Sequence, residues 1–320
     1  MAISAPVRGV DAIDAVAAEQ EWLVSARQCR EAGVDHGLIR LLLRRGAWRR
    51  VTRGVYDVDP FPGERGSYDR RRRRAAWSGL LAYGPEAVAV GPSALALLGV
   101  SGLPIDVAPQ VALPAARSLE SRDGIRLRMF DDGMTVTRAG RAVVASPWWA
   151  LAQAVPELDR EHAVSVLDSA MHRGVVTVDE VAHAHDLARG RRGVARTHSW
   201  WGLADGRSES PLETRVRLDC HDGGVGPDAL QVPLVDVSGV VLRGDLGWRT
   251  RDGRWLVAEA DGAEFHGSLQ AAYADRARHN ELVGGDVAGT LRFTFDDVRV
   301  AGRCSRTVRR ALHALGRRPR

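Results

Sequence analysis

VLRGDLGWRTRDGRWLVAEADGAEFH, residues Val241–His266, holds two apolar, alternating segments around a short polar break. The first segment, Val241–Trp248, carries Asp245, and the second, Trp255–Gly262, carries Glu259 and Asp261. Side chains in a strand alternate with a period of two, so Glu259 and Asp261 share a face. Asp252-Gly253 in the break signals a hairpin. A three-residue loop, Arg251-Asp252-Gly253, puts glycine where a type I turn followed by a bulge needs a left-handed residue. Thr250 then pairs with Arg254, and counting inward sets Asp245 opposite Glu259. Opposed side chains in a hairpin sit roughly 5 Å apart at Cβ, and like charges there repel. A two-residue loop would shift the register by one and separate them. With three carboxylates on one patch, either a hard cation neutralises them or one holds a proton. The pattern predicts a magnesium or manganese site on Asp245, Glu259 and Asp261. The alternative is a solvated acidic sheet face.

A chain of 320 residues allows two or three domains, and 45% hydrophobic residues is ordinary for a globular protein. A net charge of +5 and a pI near 9.7 permit a polyanionic partner. All 45 basic residues are arginine. No lysine can therefore act as a base or bind phosphate, and arginine cannot replace it in proton transfer. Cys29, Cys220 and Cys304 lack the spacing of a disulfide framework or a zinc site. The N-terminal stretch has no basic-then-apolar signal pattern, and no apolar run is long enough to span a bilayer. The expected setting is reducing and cytoplasmic, with no membrane partner.

Near the N-terminus, residues 11–20 read as a first helix. Ser25 and Gln28 form a capping box that opens a second over Ala26–Ala32. Gly33 makes a turn, and Asp35 caps a third helix, His36–Arg45, which Gly46 ends. Leu38, Leu41 and Leu42 are expected to face inward, and His36, Arg40 and Arg44 recur on the outer face. Ala47–Val58 follows as two β-like pieces with Arg49, Arg50 and Arg53. Three short helices and a basic two-stranded piece read as a winged helix-turn-helix that presents Arg40 and Arg44 to the major groove and the wing to phosphates. A generic helical subdomain or a protein-binding module would share this pattern.

Asp59–Ser67 reads as a linker. Arg70–Arg74 heads a helix through Leu81, either as a second phosphate-contacting patch or as a solvated helix start. A short helix at Pro92–Gly99, four strands between Val107 and Val144, and helices near Trp148, Arg160–Arg173 and Val178–Leu187 predict an α+β middle domain. Its histidines, including His183 and His185, read as structural or solvated.

From Ser210 the order is helix with Glu213, strand Leu230–Asp236, the hairpin, helix Tyr273–Val283, strand Thr290–Phe295 and helix Arg303–Leu315. The ordered series SPLETRVR, QVPLV, VAEADG with His266, YADRARHNEL and LRFTFDDV resembles the very-short-patch-repair (Vsr)-like branch of the PD-(D/E)XK nucleases over roughly residues 205–315. Separately, LIRLLLRRGAWRRVTRGVY resembles the N-terminal winged helix of AbiEi-type antitoxins over residues 11–58.

The nuclease resemblance implies hydrolysis of phosphodiester bonds with Mg2+ or Mn2+. Asp245 and Glu259 would hold the metal, and Asp261 stands where the superfamily has lysine, as a further ligand or a proton acceptor. Glu213 matches the helix acid aimed at the metal. His266 would orient water or protonate the leaving oxygen, Arg278 would clamp phosphate, and Gln231 would support the carboxylates. The chain departs from the pattern in lacking the lysine and in reading VGGDVAGTLRF before the last strand. The expected domains are 1–59, a winged helix-turn-helix; 68–204, the α+β middle domain; and 205–320, a restriction-endonuclease-like α/β domain with a mixed sheet. Two functions stand open. One is a DNA-binding, metal-dependent endonuclease; the other is an antitoxin-like transcriptional regulator with a silent nuclease fold. DNA is the expected partner, with a cognate toxin or a second copy beside it.

Overall fold

The computed structural model describes residues 10–60, 67–114, 120–235, 241–261 and 286–317. In chain order its elements begin α1 (Val10–Ala18), β1 (Leu23–Ser25), α2 (Ala26–Glu31), α3 (His36–Arg44), β2 (Arg49–Thr52), β3 (Val55–Asp57), α4 (Tyr68–Tyr83), β4 (Val88–Ala89) and α5 (Gly91–Leu97). Next come β5 (Gln110–Leu113), β6 (Arg126–Met129), β7 (Val136–Ala139), β8 (Ala142–Ala145), α6 (Pro147–Ala154), α7 (Arg160–His172), α8 (Val178–Leu187) and α9 (Val194–Thr197). The last are α10 (Pro211–Asp222), β9 (Ala229–Val235), β10 (Val241–Arg249), β11 (Trp255–Ala260), β12 (Val287–Phe293), α11 (Phe295–Val298) and α12 (Arg303–Ala314). No helix among the described residues is long and apolar enough to cross a membrane.

Two compact units divide the chain. One holds Met1–Asp159 with Val175–Trp201; the other holds Arg160–Gly174 with Gly202–Arg320. The division at Trp201/Gly202 lies beside the expected boundary at 204/205, and the residues on both sides of 59–68 fall in one unit. The N-terminal and middle regions pack as one unit, and α7 belongs with the C-terminal one. Its Asp168, 1% exposed, accepts from Arg217 at 2.6 Å, Thr214 Oγ1 at 2.7 Å and the Asp205 N–H at 2.7 Å. A buried carboxylate needs such partners wherever they lie in sequence, and that need carries α7 across the expected boundary.

In the first unit, α1–α3 lie with a three-stranded antiparallel sheet in the order β1-β3-β2. The Ser25–Gln28 capping box forms, and Asp35 accepts from the Leu38 N–H at 2.8 Å. Ile39 is the buried residue of α3, with Leu38, Leu42 and Leu43 packed against the same core as Ile13, Val24 and Trp48. The expected inward row is therefore turned by one position, and Leu41 leaves it. The short strand β1 completes a sheet expected to have two strands. A second sheet runs β6-β5-β4-β8-β7. His185 stacks on Trp201, centroids 4.9 Å apart, and lies 2.9 Å from a ring nitrogen of His198, which fits the structural role expected of it.

The arginine run at the head of α4 takes neither expected part. Arg70 pairs with Asp59 at 2.6 Å and Glu21 at 3.4 Å, Arg73 with Glu21, and Arg74 with Asp57 at 2.9 Å. Arg72 pairs with Asp69 and donates to the Leu103 and Pro104 carbonyls. The run ties α4 to its own surroundings, because nearly buried Asp57 and Asp59 require counter-charges.

In the second unit the sheet order is β12-β11-β10-β9, with β9, β10 and β11 antiparallel and β12 parallel to β11. The expected hairpin register is observed: Leu246 faces Ala258 and Arg249 faces Trp255. The Thr250 N–H donates to the Arg254 carbonyl, and Gly253 takes φ 82°. Leu246, Trp248, Leu256 and Ala258 cover one sheet face with Leu212 and Val216 of α10 and Val308 and Leu312 of α12. Val232, Leu234, Val257 and Val287 line the other face. A Cβ at Gly244 would stand 2.1 Å from Val257 Cγ1, so the neighbouring strand packs where a side chain would be. The helix expected at Tyr273–Val283 lies outside the described residues.

Candidate nucleic-acid interface and carboxylate site

His36, Arg40 and Arg44 are spaced by four on α3, which brings them to one helix face. All three are exposed, and among the described residues Arg40 and Arg44 have no ion-pair partner. The wing is the β2–β3 hairpin, which turns at Arg53-Gly54. Arg50 and Arg53 are exposed there as expected. Arg49 is exposed as well, and its guanidinium also lies 2.7 Å from the buried Asp57 carboxylate. The Gly54 carbonyl accepts from the Ala26 N–H at 2.8 Å, which anchors the wing to the start of α2.

The carboxylates of the second unit cluster around the point on β10 where its pairing with β11 ends at Leu246 and its pairing with β9 continues. The register that sets Leu246 against Ala258 sets Asp245 across from Glu259. Asp245 Oδ2 accepts from the Ala260 N–H at 2.8 Å, so this carboxylate caps the sheet. On β9 the residue across from Asp245 is Gln231, whose φ of 52° is left-handed, a strained conformation for a residue with a side chain. Gln231 Nε2 donates to Glu213 Oε2 at 2.9 Å, and the Glu209 N–H donates to the same oxygen at 2.9 Å. Ser210 caps α10 by accepting from the Glu213 N–H at 3.2 Å, which fixes Glu213 at the first turn.

Glu213 is 6% exposed. Burial pushes its carboxyl up to about 7, and the negative charges of Asp245 and Glu209 add to the effect. Burial likewise raises Asp245, against the Ala260 N–H, and Glu259, Glu209 and Asp261 raise it further. The neighbouring negative charges predicted from the hairpin register are thus felt at Asp245.

The three carboxylates expected to share one cation do not form a ligand set. Among the described residues no group of three or more His, Cys, Asp or Glu side chains is placed to hold a metal ion. Arg292 on β12 supplies the physical reason. It stands in register with Glu259, lies 3.5 Å from Glu259 Oε2, and places its Nε 2.6 Å from Asp261 Oδ2. A guanidinium meets the charge of these two residues while Asp245 turns to its own N–H donor. His266 and Arg278 lie outside the described residues.

Sequence reasoning missed Arg292 and Glu209. Arg292 was visible only as a polar residue in LRFTF, since its pairing with Glu259 depends on the parallel register of β12. Glu209 precedes the helix cap and carried no periodic signal.

Residues 11–57 match the family model described as a transcriptional regulator, AbiEi antitoxin. The uncharacterized proteins MT2308 and Rv2248, from Mycobacterium tuberculosis strains CDC 1551 / Oshkosh and ATCC 25618 / H37Rv, are each 30% identical to the chain over 188 residues. That alignment covers 57% of this chain and 68% of each relative. Among solved structures, the RV2827C protein from Mycobacterium tuberculosis matches with a TM-score of 0.30 and 18% identity, over 62% of this chain and 82% of that one.

Proposed function

This chain belongs to the family of the uncharacterized mycobacterial proteins MT2308 and Rv2248 and carries an AbiEi antitoxin-type regulator domain over residues 11–57, and from that premise we propose that it is a duplex-DNA-binding regulator. The observation that carries this reading is the contrast between its two arginine-rich stretches. Arg70 and Arg72–Arg74 are spent on internal ion pairs, whereas Arg40 and Arg44 stand exposed on one face of α3. A helix of this kind docks in the major groove with arginines at base edges and phosphates. Its setting would be the cytoplasm, where the DNA is, and its protein partner a toxin or a second copy. Fluorescence anisotropy with a labelled duplex tests the reading. Arg40→Ala with Arg44→Ala should weaken binding by about tenfold or more, as expected when groove-facing arginines are lost. Equal affinity of wild type and double variant would contradict it.

A second reading concerns the C-terminal unit alone: a restriction-endonuclease-like fold that hydrolyses phosphodiester bonds with Mg2+ or Mn2+. Glu213, Gln231 and Asp245 support it, since a buried Glu213 raised by burial and by half-buried Asp245, beside the strained backbone of Gln231, is the kind of arrangement functional sites use. Arg292 on Glu259 and Asp261 counts against it. Supercoiled DNA incubated with magnesium or manganese decides. Cutting lost in both Asp245→Asn and Glu259→Ala would establish the hydrolase. Cutting that survives both would come from a contaminant, and tight binding without cutting would leave the regulator.

A further inference from the structure

The tip of the wing is engaged by a residue from outside the winged helix. Asp123 stands in the turn before β6, exposed to solvent. Its Oδ2 accepts from Thr52 Oγ1 and from the backbone N–H of Arg53 at 3.2 Å. The guanidinium groups of Arg122 and Arg50 are near enough to act on the same carboxylate. The Thr52 hydroxyl, the Arg53 N–H and the two arginines hold the Asp123 carboxyl below the usual range, so it is ionised at neutral pH.

A hydroxyl, a backbone N–H and flanking arginines are the donors proteins offer to DNA backbone phosphates. A carboxylate is the side chain that most resembles a phosphate's paired anionic oxygens. The geometry points to the wing tip as a backbone-phosphate site that Asp123 occupies in the DNA-free protein, so that the nucleic acid must displace an internal competitor. This inference rests on the DNA-binding reading above.

Anchoring alone does not account for the charge. The wing is already held by pairing of β3 with both β1 and β2 and by the bond from the Ala26 N–H to the Gly54 carbonyl. A neutral Asn or Ser could accept from the same two donors. What Asp123 adds is a negative charge at the spot a phosphate approaches, well within the screening length of about 8 Å at physiological salt. It therefore lowers affinity for DNA, and it favours contacts strong enough to exchange it out.

Full-length wild type, Asp123→Asn and Asp123→Ala are titrated onto a labelled duplex by fluorescence anisotropy, with thermal midpoints recorded alongside. Asp123→Asn keeps the acceptor and drops the charge, and it should bind about three- to tenfold tighter through lost repulsion. Thr52→Val added to Asp123→Asn should cancel most of that gain, because the phosphate loses its hydroxyl donor. Asp123→Asn binding no tighter than wild type, with the fold intact, would overturn the inference. A gain that Thr52→Val leaves untouched would also overturn it, because the effect would then be general charge and not the tip site. If none of these proteins binds duplex, the DNA-binding reading itself fails. Binding by wild type with no gain in Asp123→Asn removes only the inference.

Discussion

Glu213 shows how one buried acid reports its surroundings. Its folded-state value of about 7 lies above the ordinary 4.5. Between those two values the folded protein keeps a proton that the unfolded chain releases, so raising the pH across that window favours unfolding. The full penalty is present above pH 7 and amounts to about 3 kcal/mol, at roughly 1.36 kcal/mol per pH unit. Glu213→Gln keeps an acceptor for the Gln231 and Glu209 donors and removes the titration. Urea unfolding at pH 5 and pH 8 should show the variant gaining on wild type as pH rises, by about 2 kcal/mol or more. A difference that is the same at both pH values would contradict this. At this scale the sequence was informative where a backbone constraint did the work. Gly253 in the loop needs a left-handed residue, and that need sets Asp245 across from Glu259. Where a side chain's partner comes from a distant strand, as Arg292 does, no local pattern announces it.

Between elements, buried charge decides more than propensity does. Asp168 of α7 and Arg217 of α10 pair inside the second unit, with Arg217 also donating to the Leu203 carbonyl at 2.7 Å. Burial raises the Asp168 carboxyl, while Arg217 and the Asp205 and Thr214 donors lower it. Arg217→Met would leave that carboxylate without its counter-charge. A loss of about 3–5 kcal/mol is expected, as for other buried pairs broken from one side, and is measurable by denaturant unfolding. Asp168→Asn with Arg217→Met should recover part of it, and no recovery would mean that packing and not charge holds α7 to α10. The helices and strands here were largely legible, because capping boxes at Ser25 and hydrophobic period are local signals. Their assignment to units was not. The destination of α7 rests on Asp168, and nothing in HAVSVLDSAMH distinguishes a solvated aspartate from a buried one. The run Arg70–Arg74 shows the same limit, since its counter-charges Glu21, Asp57 and Asp59 lie in a neighbouring subregion.

For the molecule as a whole, a net charge of +5 conceals an uneven use of arginine. Most of the arginines considered above are committed to carboxylates or carbonyls of the same chain, and the exposed set on α3 and the wing is small. Affinity for DNA should then come from few contacts and be easily tuned, by Asp123 at the wing tip among others. The winged helix could be read from residues 11–58 because its caps, turns and outer arginines all lie within one short stretch. The C-terminal unit could be read only in part, since Arg292 reaches Glu259 and Asp261 through the parallel register of β12, which no local pattern announces. Duplex recognition by α3 is tested most directly by the salt dependence of binding. The slope of log affinity against log salt should be negative for wild type and become shallower by about 0.9 for each phosphate-contacting arginine removed among Arg40, Arg44, Arg50 and Arg53. A slope unchanged by all four substitutions, in folded protein that still binds duplex, would contradict the account and move the DNA contact elsewhere.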